Sequence, residues 1–229
     1  MTGVDAEQRT IHFEDRPSIP FDVLSIGVGS VPTTAGVEVI DDTALAIKPM
    51  QTFLSRLEDR LHQFQDTASG EPLRVVIVGA GAGGVEIAFC LPKRIRETLG
   101  EVAFGVTIVN GRDEVAAGAT ANTTKKVKKA LETSGVRLML GRRVTQVTGG
   151  VVVLDNGESI DADIVLWATS ATAPPLLDEI ELPKDDRGFL LTDNTLRSTS
   201  GHPLFAVGDT GTIEGANISK AGVYAVRQG

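Results

Sequence analysis

The run Val75-Val76-Ile77-Val78-Gly79-Ala80-Gly81-Ala82-Gly83-Gly84-Val85-Glu86 constrains this chain more than any other stretch. An unbroken row of apolar, mostly β-branched residues describes a strand buried on both faces, as in a parallel sheet. The row ends in G-x-G-x-x-G, with Gly79, Gly81 and Gly84 as its glycines, and a helical pattern follows. The first glycine permits a tight turn, the second lets backbone approach a diphosphate, and the third packs helix against strand. A helix starting there presents free N–H groups and a positive dipole end to an anion. Glycine-rich turns also occur without any ligand. Here the strand before and the helix after supply the context that a dinucleotide fingerprint requires.

The pattern after the loop keeps alternating. A helix is expected from about 82 to 98, a strand at 106–109, a helix near 121–134 and a strand at 137–140. Right-handed crossovers turn such a βαβαβ unit into a parallel sheet. From Val144 to Ile160 the chain reads instead as short strands joined at Gly149-Gly150 and Asn156-Gly157. Asn-Gly is the favoured two-residue hairpin turn, so an antiparallel meander is expected here. Buried strands return at 164–168 and 203–207, the latter leading into Gly208-Asp209. Ahead of the loop, 10–13 and 21–27 read as short strands. Phe53, Leu54, Leu57, Leu61 and Phe64 describe an amphipathic helix over 50–65. A linker at 67–72 and a last helix from near Ser219 complete the reading. The fold class expected is α/β: a Rossmann-like domain with a parallel sheet, helices on both faces and an inserted antiparallel β-meander.

The net charge of −8 argues against nucleic acid as a partner, since phosphate backbones are held by basic surfaces. Lys125, Lys126, Lys128 and Lys129 read as the solvated face of a helix. With one cysteine, Cys90, no disulfide can form within the chain, which fits a reducing compartment. Cys90 itself, in mid-helix after Ala88 and Phe89, reads as a small buried hydrophobe. No apolar run approaches membrane-spanning length and no signal-peptide pattern opens the chain, so a cytoplasmic location is expected. His12, His62 and His202 lack ligand spacing, so no metal site is expected.

Cofactor choice turns on the end of the second strand. An acidic residue there bonds the ribose 2′-OH of NAD, and a nearby arginine suits the 2′-phosphate of NADP. The chain has Asn110-Gly111-Arg112. The amide can bond a hydroxyl and the guanidinium can meet a phosphate, so Asn110 and Arg112 are candidate cofactor residues and the choice stays open.

Four ordered motifs resemble the pyridine nucleotide-disulfide oxidoreductase superfamily of flavoproteins: Phe21 to Pro32, Gly79 to Glu86, Asp163 to Pro174, and Leu204 to Asp209. Within it the chain resembles type II NADH dehydrogenase-like enzymes, and the FAD-dependent oxidoreductases found beside selenide, water dikinase. Further support comes from Ala46-Ile47-Lys48-Pro49, Leu166-Trp167-Ala168-Thr169 and the string Lys220 to Gly229. A link to selenium metabolism rests on that association alone. The resemblance implies NAD(P)H and FAD as cofactors, and hydride passage from NAD(P)H to flavin and on to an acceptor such as a quinone. Glu86 would face the nicotinamide and stands as the catalytic-side candidate. Thr169 and Ser170 would form the second crossover, where Ser170 replaces the usual glycine. Gly208 and Asp209 would hold the flavin's ribityl chain. The expected division is 1–40 as FAD-domain strands, 41–72 as helix and linker, 73–195 as the NAD(P)-binding domain, and 196–229 as the FAD-domain return.

No second G-x-G-x-x-G lies near the N-terminus, so the chain reads as an internal segment of a longer flavoprotein. By itself it is expected to bind NAD(P)H weakly and to hold no FAD. Any membrane association would then come from other regions, and a homodimer is compatible with the resemblance. A rival reading is a nucleotide sensor without turnover, motivated by Asn110 and Ser170. No C-x-x-C or C-x₄-C pair is present, so dithiol chemistry is excluded for this stretch.

Overall fold

The computed structural model describes residues 1–67, 70–216, 218, 220 and 222–228. The chain separates into two compact units. One is Pro32–Ser170; the other joins Met1–Val31 to Ala171–Gly229.

The first unit holds β1 (Val39–Ile40), β2 (Ala44–Ala46), α1 (Met50–Thr67), β3 (Leu73–Val78), α2 (Ala82–Leu99), β4 (Phe104–Asn110) and α3 (Ala121–Thr133). It continues with β5 (Arg137–Leu140), β6 (Val144–Thr148), β7 (Val151–Leu154), β8 (Ser159–Asp161) and β9 (Ile164–Trp167). Its main sheet has five parallel strands in the order β5-β4-β3-β9-β2. Strand pleating sends alternate side chains to opposite faces. Leu73, Val75 and Ile77 of β3, with Val106 and Ile108 of β4 and Ile164 and Leu166 of β9, enter one core. Val76, Val78, Val109, Val165 and Trp167 enter the other. A continuous Val/Ile row serves both faces at once, which is why β3 needed no polar alternation.

The two faces are covered differently from the arrangement the sequence suggested. Helix residues Phe53, Leu57 and Leu61 of α1, Val85, Leu91 and Ile95 of α2, and Leu131 of α3 all bury into the same core. The opposite face is covered by the meander, through Val144, Val147, Val152 and Leu154. Helices on both faces were expected because crossovers normally supply them. Here a second sheet in the order β8-β7-β6-β1, antiparallel except for the parallel β6–β1 pair, does that work on one side.

The turns differ too. Asn156-Gly157 is not a two-residue turn with both residues at positive φ. Gly157 N–H donates to Leu154 O at 3.0 Å, so Asp155 and Asn156 are the central residues. Gly157 follows them with φ of 83°, and Leu154 N–H donates to Glu158 O at 2.8 Å. The two-residue turn with both residues at positive φ is Gly149-Gly150, at 59° and 78°.

The second unit is built from short strands. Gly3–Asp5, Thr10–His12 and Ile19–Pro20 form a three-stranded antiparallel sheet. Leu24–Ile26 pairs in parallel with Leu204–Ala206, and Leu190–Thr192 with Gly211–Ile213. Val4, Ile26, Leu177, Ile180, Leu182, Leu190 and Leu204 share its core. Residues 171–195 therefore pack with the terminal segments, not with the 73–195 stretch to which spacing along the chain assigned them. The final helix is Gly222–Gln228; its expected start at Ser219 lies outside the described residues. No described helix is long and apolar enough to cross a membrane.

Candidate functional site

The glycine turn sits at the carboxyl ends of β3 and β9. In the order β5-β4-β3-β9, chain direction through the sheet reverses between β3 and β9, the place where open α/β sheets bind ligands. Gly79 has φ of 110°, a conformation open to glycine and strained for other residues. A Cβ there would also collide with Ala168 O and lie 3.1 Å from Thr169 N. A Cβ on Gly84 would collide with Gly79 O. Around Gly81 nothing lies within 4 Å of the position a Cβ would take. Two glycines thus close the turn against neighbouring backbone, and the middle one leaves open space beside it. Gly81 is also the N-cap of α2 and makes no side-chain cap bond. The helix's first N–H groups therefore need a partner from outside their own ladder. These residues fit a dinucleotide diphosphate: donors, dipole and space coincide.

Asn110, at the end of β4, is the clamp of this turn. Its Oδ1 accepts from Ala80 N–H at 3.1 Å, and its Nδ2 donates to Arg112 O at 3.0 Å and Glu114 O at 2.9 Å. One side chain thereby fixes both the glycine turn and the loop after β4. Gly79 N–H adds a bond to Val109 O at 2.8 Å. The amide is able to bond a ribose hydroxyl; here its oxygen and nitrogen are both engaged with backbone.

Thr169 and Ser170 follow β9 at the same sheet edge. Thr169 Oγ1 donates to Thr33 O at 2.6 Å, and Trp167 Nε1 donates to that same oxygen at 2.9 Å. Thr33 N–H in turn donates to Ser170 O at 2.8 Å. The crossover is fixed by these bonds despite Ser170 in place of glycine. Glu86 is exposed in the second turn of α2, and among the described residues its side chain makes no hydrogen bond or ion pair. Cys90 is exposed, contrary to its expected burial. The core face of α2 runs through Ala88, Leu91 and Ile95, and position 90 projects away from it. Trp167 is a core residue.

Arg142 and Arg143 escaped the sequence reading. They follow β5, the neighbour of β4, and Arg142 N–H donates to Asn110 O at 3.0 Å. Gly141 N–H donates to Arg112 O at 3.1 Å. A Cβ on Gly111 would sit 3.0 Å from Arg143 Cγ. Arg112, Arg142 and Arg143 therefore gather at one sheet edge from two loops. The available signal was a pair of arginines directly after the strand adjacent to β4.

In the other unit, Gly208 has φ of 61° and opens a short 3-10 turn, Gly208–Thr210, with Asp209 at its centre. Ser30 Oγ donates to Asp209 Oδ2 at 2.7 Å, and Gly29 N–H donates to Thr210 Oγ1 at 2.9 Å. These bonds join the ends of the paired strands Leu24–Ile26 and Leu204–Ala206. A half-buried carboxylate fixed in this way is chemically suited to accept from a flavin's ribityl hydroxyls.

Lys220 lines the same unit. Its Nζ donates to Gly211 O and, at 2.9 Å, to Thr212 Oγ1, and lies 4.1 Å from the Phe189 ring centroid. Burial pushes its amine down to about 8, against the pull of Asp185 and with the help of Arg187; Asp209 also acts to raise it. The ordinary value is 10.5. Between those two values the unfolded chain carries a proton that the folded chain has released, so stability rises with pH across that window. Below about 8 both states are protonated and the full cost of the buried ammonium is present. Urea midpoints of the native chain and Lys220→Met, compared near neutrality and near pH 10, are expected to show the gain in the native chain and not in the variant.

Known proteins resemble this architecture. The chain is 26% identical over 236 residues to demethylphylloquinone reductase NdbB of Synechocystis, covering 100% of this chain and 56% of that protein. It is 31% identical over 187 residues to the alternative NAD(P)H-ubiquinone oxidoreductase C1 of Arabidopsis thaliana, covering 72% of this chain and 33% of the other. The fold is that of the water-forming NADH oxidase of Lactobacillus brevis bound to NADH. That match has a TM-score of 0.77 at 24% identity, over 99% of this chain and 50% of the oxidase. The chain spans about half the length of the first two relatives by similarity, 56% and 53%. A family model described as pyridine nucleotide-disulphide oxidoreductase matches residues 1–229, and the chain belongs to that family.

Proposed function

We propose that this chain forms the nicotinamide-nucleotide site, and part of the flavin site, of an NAD(P)H:acceptor oxidoreductase that reduces a quinone. The observation that carries the reading is the glycine turn, closed at Gly79 and Gly84 and open at Gly81, at the switch point of the sheet. The quinone acceptor is supported by relatives named for quinone reduction. Flavin supplies, when bound, acceptance of hydride from the nicotinamide and onward delivery of the electrons. The chain's own residues place the partners. Gly81 and the first turn of α2 hold the diphosphate, and Asn110 keeps the turn in shape for it. Thr169 and Ser170 shape the crevice wall at β9, with Glu86 on α2 assigned to the nicotinamide side. Asp209, held by Ser30, accepts from the ribityl chain. A cytoplasmic setting is part of the same proposal, supported by the lack of a cysteine pair.

The test is NAD(P)H oxidation by the full-length protein with a soluble quinone analogue, followed as loss of dihydronicotinamide absorbance. Turnover that depends on the quinone is the expected result. Tight NAD(P)H binding with no oxidation by any acceptor would overturn it and leave a nucleotide sensor.

A further inference from the structure

We propose that the nucleotide preferred at this site is NADPH, with Arg112, Arg142 and Arg143 receiving its 2′-phosphate. This rests on the dinucleotide reading above and narrows it to one cofactor.

Position comes first. The adenosine ribose of a nucleotide held at the glycine turn lies by the end of the second strand of the unit, which here is β4. Asn110 ends β4 and touches the turn itself, through Ala80 N–H. An acidic residue at this point would bond a ribose 2′-OH and repel a 2′-phosphate. Asn110 is neutral, and its amide donates to Arg112 O and Glu114 O. Asn110 thus offers NADH no carboxylate and sets no charge of its own against NADPH.

Three arginines lie in the two loops beside it, and the Arg142 guanidinium donates to Gly141 O at 3.0 Å. Arg112 is two residues past Asn110, in the loop that the Asn110 amide holds. Arg142 is bonded through its own N–H to Asn110 O, and the stem of Arg143 lies over Gly111. All three are exposed. Carboxylates are near: Asp113 faces Gly141, Glu114 shares the loop, and Asp155 N–H bonds Arg143 O. Among the described residues none of them forms an ion pair with Arg112, Arg142 or Arg143. Three arginines drawn from two loops to one strand end, none of them ion-paired, supply cationic groups there for an anionic ligand. Guanidinium forks match phosphate oxygens in shape and in charge.

The experiment titrates the full chain with NADPH and NADH by nucleotide fluorescence, and with adenosine 2′,5′-bisphosphate and 5′-AMP by calorimetry. The two adenosine probes differ only in the 2′-phosphate. NADPH is expected to bind at least about tenfold more tightly than NADH at low salt, as charge-assisted hydrogen bonds imply. The bisphosphate is expected to exceed 5′-AMP likewise, and both preferences should shrink as salt rises. Arg112→Ala and Arg142→Ala should each cut the ratio of NADPH to NADH affinity several-fold, with the larger loss falling on NADPH. Circular dichroism is expected to match the native chain, because both side chains are exposed. Equal binding of the two dinucleotides, tighter NADH, or a preference indifferent to these substitutions overturns the NADPH assignment and leaves the dinucleotide reading intact. Binding of neither nucleotide overturns both.

Discussion

Gly84→Ala is expected to lower the unfolding free energy of the native chain by about 3 kcal/mol, while Gly81→Ala leaves it nearly unchanged. The two positions share one turn and one residue type, yet they meet different surroundings. A methyl group on Gly84 drives into Gly79 O, a backbone atom of a turn that Asn110 already holds by its side chain. Side chains can rotate away from such a collision; a pinned carbonyl cannot, so the helix must back off the strand. Gly81 has nothing near its added methyl. Its cost falls on binding, since a methyl there fills the space that lets backbone approach a diphosphate. Urea denaturation and NAD(P)H titration of both variants separate the effects. Loss of stability in Gly84→Ala, with loss of affinity but not stability in Gly81→Ala, is the expected pattern. Equal stability of the two variants would refute the division of roles within the turn.

Leu61→Ala should cost about 3 kcal/mol by leaving a cavity in the parallel-sheet core, and Leu54→Ala less than about 0.5 kcal/mol. Leu61 is fully buried, 0% exposed, and Leu54 is 54% exposed. Both lie on α1, a helix that the sequence grouped with a linker. Its apolar stripe, Phe53, Leu57 and Leu61, packs into the core shared with β3 and α2. A linker helix would respond weakly and equally to both substitutions. A structural layer responds at Leu61 alone. Thermal or urea unfolding of the two single variants decides it.

The parts of the fold legible in the sequence were those set by local periodicity. The double-sided row of β3, the helices α1 to α3 and the strand pairs of the meander follow from spacing and turn residues. What escaped depends on partners distant along the chain. The meander takes one sheet face because its Val147 and Val152 meet Val76 and Trp167, and no local pattern encodes that meeting. Residues 171–195 join the terminal segments through Leu177, Ile180 and Leu190, an association invisible to a reading that moves from one residue to the next. Cys90 was misjudged because Ala88 and Phe89 precede it in sequence, although helical geometry turns it outward.

The same limit applied at the site. Gly79 and Gly84 were legible as turn glycines because a Cβ at either collides with backbone, whereas Gly81 stood out by its spacing alone. Asn110 stood at the right place but in a different role, since its partners are main-chain groups of Ala80, Arg112 and Glu114. Arg142 and Arg143 became visible only when β5 was seen beside β4 in parallel register.

The bonds that tie Thr33 to the end of β9 have a further consequence. Thr33 N–H donates to Ser170 O, and Thr33 O accepts from both Trp167 and Thr169. The unit of residues 32–170 therefore enters and leaves the rest of the chain at one laced point. An insertion whose two ends are already closed asks little extra loop-closure entropy of whatever chain carries it.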